Sequence, residues 1–398
     1  MSFSARAMVL ALSLLHTAAC GGAAPRPRGP RAAPAEDLAE AKPPTPAQTP
    51  ADPRPGSSPA PAVIDLDTIR IQVVSRTPAG ETEMTSVASA DLFNGASAAW
   101  KEGRGDEAIG LFRRLVSEFP DSSYAPLSLH NIAAIYDGRG DQASTITTLR
   151  ELIAGYPAAR LSIEGHLYIA AITAEHKRWG EALRTLDEVL ARDNLTFEDQ
   201  VEALARKGYV LLELDRLDQA DAALVAALGQ WRKAPRIDDP YFIAMAQYYR
   251  GEVAHRRFAK IEVKLPDDQL GKSLDAKEAL AVTAYDRWRE ALPHRHAYWA
   301  TASGYQMSQV FFELWEATVK APYPAAMSLA ARPPYVAEVH ARVRAHLQKA
   351  LEGHRMNIEL AEAYGVSTTW SEASKTRAMQ ISEILEKEAR GEYVRPAS

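Results

Sequence analysis

The sequence predicts an all-α fold, a solenoid of helical hairpins, preceded by a disordered Pro-rich tether and a short β-hairpin. Three observations carry that reading. The hexads GRGDEA (103–108) and GRGDQA (138–143) are nearly identical, and weaker versions recur as KRWGEA ending at Ala182 and RLDQA ending at Ala220. The four alanines stand 35, 39 and 38 residues apart, within the range of helical-hairpin repeats. After the first hexad, Ala108, Ile109, Phe112, Leu115, Val116 and Phe119 recur at steps of three and four, which gives a helix one apolar face.

The N-terminus reads as a secretion signal over 1–19. Arg6 supplies a positive start, Ala7 to Leu15 form an apolar run, and Thr17, Ala18 and Ala19 are small, as signal cleavage requires. Cys20, the only cysteine of the 398 residues, follows directly. A single cysteine allows no intramolecular disulfide and no cysteine-based zinc site. Its position resembles a bacterial lipobox, in which the cysteine is acylated and becomes the mature N-terminus, although Thr17 stands where that pattern has an aliphatic residue. Two or more acyl chains anchor stably where one does so marginally. By the sorting rule of such lipoproteins, Gly21 in place of Asp favours the outer membrane.

Residues 20–62 are the tether. Twelve of the chain's 25 prolines fall within 23–62. Such a composition buries too little apolar surface to fold, and at about 3.1 Å per residue it reaches on the order of 100 Å. Residues 63–87 change character. Ile69, Ile71 and Val73 alternate with Arg70 and Gln72, a Pro-Ala-Gly turn follows at 78–80, and ETEMTSV returns as a second strand. An isolated hairpin is marginal, so this one docks on the helices or takes a partner's strand.

Residues 88–230 hold the repeats. Gly103 and Gly105 permit the turn between helices, and Asp106 is placed to cap the helix that follows. This pattern resembles the tetratricopeptide repeat. The family's small residue early in its second helix falls on Ala108, Ala143, Ala182 and Ala220. Its bulky residue four places later falls on Phe112, Leu186 and Leu224, with Thr147 departing. Its closing proline falls on Pro120, and on Pro157 if the second repeat is two residues longer. Repeats three and four have Lys177 and Asp215 where a turn glycine is expected. A finer likeness lies in FRRLVSEFPDSSYAPLSLHNIAAIYDGRGD (112–141), which is similar to envelope tetratricopeptide lipoproteins of the BamD and YbgF types. Gliding-motility lipoproteins of that family remain an open branch. The resemblance implies a concave superhelix that binds protein partners, with no small-molecule cofactor.

Residues 231–398 remain helical while the repeat blurs. Helices are expected over 242–261, 275–292, 298–319 and 335–363, with LPDDQLGKS (265–273) as a polar loop. A last helix, capped by Thr368 or Thr369, should end near Arg390. Fourteen aromatics fall between 241 and 323. They read as core packing or as a binding groove, and in the second case Tyr248, Tyr249, Trp299 and Tyr305 are the partner-binding candidates.

A net charge of −5 argues against a general nucleic-acid binder. No apolar run reaches the roughly 18–20 residues that span a bilayer. His294 and His296 flank Arg295, yet no third ligand is placed beside them, and His340 and His346 do not share a helix face. No catalytic residue or metal site is therefore expected. The sequence predicts a non-enzymatic, lipid-anchored scaffold facing the periplasm at the outer membrane, binding other envelope proteins. The alternatives are a glycan-binding lipoprotein of nutrient uptake and a peptidoglycan enzyme or its accessory.

Overall fold

A computed structural model describes residues 69–76, 82–363 and 365–396. Cys20, the signal segment, the tether and the turn at 78–80 lie outside the described residues. Strand β1 (Ile69–Arg76) pairs antiparallel with β2 (Thr82–Ala88), with Ile69 opposite Ala88 and Arg76 opposite Thr82. The ladder shifts register between Val73 and Ser75. Strand β2 runs directly into the first helix and touches it, and Val87 packs on the helical core.

The remaining elements are helical, and they divide into two compact units between Leu214 and Asp215. The first unit holds α1 (Ser89–Lys101), α2 (Gly105–Glu118), α3 (Tyr124–Gly138), α4 (Gln142–Gly155), α5 (Arg160–Glu175), α6 (Trp179–Leu190) and α7 (Phe197–Glu213). Each helix packs on the next. The odd-numbered helices also touch one another, α1 to α3, α3 to α5 and α5 to α7. This is the layering of stacked hairpins, in which each neighbour covers a face that a single hairpin leaves bare. Phe112, Leu115, Leu149, Leu152 and Leu186 are fully buried between the layers.

The turns correct the repeat register. Left-handed backbone occurs at Gly103 (φ 79°), Gly140 (φ 74°), Lys177 (φ 57°) and Asp215 (φ 59°), which are 37, 37 and 38 residues apart. Gly103 therefore corresponds to Gly140, whereas aligning the two hexads pairs it with Gly138. At the first three turns the next N–H reaches back five residues, Arg104 to Ala99 O (2.8 Å), Asp141 to Tyr136 O (3.0 Å) and Arg178 to Thr173 O (2.8 Å). These bonds satisfy helix-end carbonyls in the Schellman manner. The small residue of the second repeat is consequently Thr145, fully buried, and Ala143 is exposed. The Thr145 hydroxyl donates to Asp141 O at 2.8 Å, so it sits in the core without an unsatisfied group. Leu149 takes the bulky place from which Thr147 departs. Pro120 and Pro157 then close equivalent repeats.

Asp106 does not cap α2. Arg104 is the N-cap, and Asp106 lies in the first turn, where it accepts from Arg139 Nη1 at 2.7 Å. Asp141 is a true cap of α4, accepting from Ser144 N–H at 3.0 Å. Lys177 holds a left-handed conformation that costs a side-chain-bearing residue roughly 1–2 kcal/mol and glycine nothing. Lys177→Gly should therefore stabilise the first unit by about 1 kcal/mol, read as a higher urea midpoint with unchanged slope.

Neighbouring repeats are also joined by polar contacts. The Tyr156 hydroxyl donates to Pro120 O at 2.9 Å, and Arg192 donates to Pro157 O. Asp199, almost fully buried near the start of α7, takes both terminal guanidinium nitrogens of Arg160 from α5. It also accepts from Thr196 N–H and hydroxyl, each at 2.9 Å. Burial pushes the Asp199 carboxyl up, but Arg160 and Thr196 together hold it below the usual range. Asp199→Ala should cost about 2–3 kcal/mol, since it removes a charged hydrogen-bond pair and half a capping box. Thermal unfolding checks this.

The second unit holds α8 (Leu217–Lys233), α9 (Tyr241–Ala259), α10 (Asp267–Arg289), α11 (Ala297–Val319), α12 (Arg332–Ala363) and α13 (Thr369–Ala389). The expected polar loop 265–273 is mostly helix. After the Pro266 N-cap, Asp267 and Asp268 occupy the first turn of α10, where acidic side chains complement the helix dipole. Thr368 caps α13 by accepting from Ser371 N–H at 3.0 Å. Three ion pairs tie α8 and its leading residue to α9: Asp221 to Arg250 (3.2 Å), Asp218 to Arg257 (2.6 Å) and Asp215 to Lys260 (2.6 Å). Trp288 and Trp315 fill the core. No described helix is long and apolar enough to cross a membrane.

Candidate functional site

In the second unit α9 touches α11, and α11 touches α13. These three helices bring the aromatic candidates together. Tyr248 stands 5.2 Å from Tyr249 and 5.2 Å from Trp299, ring centre to ring centre, and Tyr249 is 5.6 Å from Trp299. Tyr305 joins them through Trp370, which is 5.4 Å from Tyr305 and 6.3 Å from Tyr248. Tyr248 and Trp299 are each 4% exposed and belong to the core, whereas Tyr249, Tyr305 and Trp370 are half-buried. The faces open to a partner are thus those of the last three residues.

Polar groups border the aromatic ones. Gln306 Nε2 donates to the Tyr248 hydroxyl at 3.3 Å. One turn and two turns beyond Tyr248 on α9 come Glu252 and His255. Burial raises both the Tyr248 hydroxyl, pushed further by the nearby Glu252, and the Glu252 carboxyl itself. His255 Nε2 lies 2.5 Å from Glu313 Oε2, and Gln309 Nε2 donates to Glu313 Oε1 at 3.0 Å. Burial alone would lower His255, yet the Glu313 hydrogen bond and charge leave it raised, with the imidazolium favoured. His354 packs on Tyr305 at 5.2 Å, and burial, with Arg377 nearby, brings it down to about 4. Trp299 and Trp370 bury their indole N–H groups with no acceptor among the described residues.

His255 and Glu313 are closed into a pair, and half-buried aromatic faces and amides are of the kind that anchor side chains in protein interfaces. The spacing of Tyr248, Glu252 and His255 at i, i+4 and i+7, facing Gln306, Gln309 and Glu313 at i, i+3 and i+7, is the sequence signal that locates the polar border. Trp370 lies beyond the aromatic-rich window, and only the packing of α13 on α11 reveals it. His294 rests against Trp231 (5.1 Å) and His296 against Tyr241 (5.0 Å). Among the described residues, no group of three or more His, Cys, Asp or Glu side chains is placed to hold a metal ion.

Residues 81–237 match the model of the tetratricopeptide repeat-like domain. The matched segment thus spans β2 to α8, including the left-handed turns at Gly103, Gly140, Lys177 and Asp215. Solved structures of low identity also match the chain. A tetratricopeptide repeat protein from Parabacteroides merdae is 12% identical with a TM-score of 0.34, covering 74% of this chain and 98% of its own. A monomeric IFIT1 mutant bound to m7Gppp-AAAA is 13% identical with a TM-score of 0.37, covering 75% and 64%. The tetratricopeptide domain of P58(IPK) is 10% identical with a TM-score of 0.24, covering 75% and 99%. No curated protein matches the chain.

Proposed function

We propose that the protein is a non-enzymatic, lipid-anchored scaffold that joins a trans-envelope protein complex through its helical hairpins. The tetratricopeptide segment supports protein–protein binding, because stacked hairpins present long surfaces to extended peptides and helices. The observation that carries the anchoring is Cys20, the sole thiol, standing directly after an apolar run and three small residues. Acylation there, followed by the proline-rich stretch, holds the helices on the periplasmic side of the outer membrane at a distance of up to about 100 Å. Outer-membrane assembly, envelope coordination and gliding motility are the processes such a scaffold serves.

Cys20→Ser should move the protein from the membrane fraction to the soluble fraction. Retention in the membrane fraction would refute the anchor. In-cell crosslinking of the tagged, lipidated protein should recover envelope proteins attached to residues of the helical units.

A further inference from the structure

Among the described residues, the last helix of the second unit has no following helix packed on it, as α1, α3, α5, α9 and α11 have. Within each unit α1, α3, α5, α9 and α11 pack against the helix that follows them, α2, α4, α6, α10 and α12. Helix α13 occupies the next place in that series, since it packs on α11 and α12. Among the described residues no helix covers it in turn. The residues after α13 do not supply one. They turn left-handed at Gly391 (φ 77°) and return to α12, where Val394 O lies 2.8 Å from His340 Nε2 and Tyr393 packs on the His340 ring.

The uncovered place is a groove between α12 and α13, formed by adjoining hollows of about 510 and 570 Å³. Its apolar residues are Leu351, Met356, Ile358, Ala378, Met379 and Leu385. Met379 is 67% exposed and Met356 50%. Lys375, Met379, Ser382 and Glu386 repeat at i, i+4, i+7 and i+11, so one face of α13 lines the groove along three turns. Methionine is the side chain that adapts to a docking apolar surface. The rim is predominantly acidic: Glu352, Glu359, Glu383 and Glu386 against Arg355 and Lys375. Lys375 is already paired with Glu372, and Glu383 with Lys387, while Glu359 and Glu386 form no ion pair among the described residues.

We propose that this groove docks an amphipathic helix of a partner protein, apolar on one face and basic along its edges, in the place that a second helix holds in the other hairpins. The proposal rests on the scaffold reading and adds the chemistry of one partner. A helix lying along α13 continues the hairpin layering, buries the two methionines, and brings lysine or arginine to Glu359 and Glu386.

The test uses the full chain and a labelled helical peptide with leucines at i, i+3, i+4 and i+7 and lysines on its flanks. Fluorescence anisotropy should show saturable binding, weakened at least about tenfold by Met379→Glu, a loss of about 1.4 kcal/mol. A twin peptide with glutamates for lysines should bind more weakly, and the double variant Glu359→Lys, Glu386→Lys should reverse that preference. Both methionines are exposed, so circular dichroism and melting temperature should stay unchanged. Equal binding of the two peptides, or insensitivity to Met379→Glu and Met356→Glu, would overturn the proposal. So would concentration-dependent dimerisation abolished by the same substitutions, which would make a second copy the occupant. Crosslinked partners mapping to other faces would preserve the scaffold reading while this groove failed.

Discussion

Gly251→Ala should destabilise the second unit by about 2 kcal/mol or more, although the same change inside an exposed helix ordinarily stabilises by up to about 1 kcal/mol. The reason is local. A Cβ at Gly251, midway along α9, would lie 2.3 Å from Trp288 Cδ1 and Nε1 and 2.7 Å from Cγ. Trp288 is fully buried, so the indole has no open direction in which to yield. A rigid ring in a closed core responds by leaving its rotamer or by pushing α9 from α10, and either course forfeits packing along the interface. Thermal unfolding should show a melting temperature lower by roughly 4–8 °C. Gly229→Ala in α8 is the control, since nothing lies within 4 Å of its added Cβ, and it should stabilise slightly. In the double variant Gly251→Ala, Trp288→Leu the two costs should add to less than their sum, because the smaller side chain removes the clash. Full additivity would show that the penalty arises elsewhere.

What the sequence disclosed and what it hid follow from the same physics. Apolar periodicity located the helices because burial of one face is a property of spacing. The bulky positions that the tetratricopeptide resemblance assigns, Phe112, Leu186 and Leu224, are fully buried. The repeat register differs from the hexad alignment because identity of letters is not equivalence of backbone. Gly103 is left-handed in one hexad and Gly140 in the other, and only a turn's dihedral angles decide which glycine of a Gly-Arg-Gly does that work. The spacing of Pro120 and Pro157 held the correct answer. Lys177 and Asp215 show the reverse case, the same conformation without a glycine to signal it.

The aromatic cluster was half legible. That Tyr248, Tyr249 and Trp299 meet follows from their faces on α9 and α11, but Tyr305 joins them only through Trp370 of α13. Its packing places Trp370 beside Tyr305. That no described helix covers the flank of α13 is likewise a fact of layering. No stretch of sequence marks a helix as lacking a neighbour.

The contribution of the His255–Glu313 pair to the stability of the second unit should be greatest in mildly acidic solution. His255 is raised from 6.5, so its contribution is fully present below that value and is lost as pH rises through its folded pKa. Burial opposes the charged Glu313 carboxylate, but His255, Gln309 and more distantly Arg377 leave it lowered from 4.5. Its contribution is therefore present above 4.5 and is lost as pH falls through its own folded pKa. Both terms are complete between about 4.5 and 6.5. The surrounding groups set the sign. Glu252 on α9 raises His255 and Arg256 lowers it, while Lys277 of α10 donates to Phe258 O at 2.8 Å. His294, His346 and His354 oppose the trend, since burial lowers each and so favours folding as pH rises through 6.5. The pair is therefore read as a difference between proteins. Glu313→Gln should lower stability near pH 6 by about 2–3 kcal/mol, because it leaves a buried imidazole without its counter-charge. That deficit should shrink as pH rises toward 9, where the wild-type pair has lost its charge attraction. Parallel melting-temperature profiles for the two proteins from pH 6 to 9 would show that the pair carries no charge-linked stability.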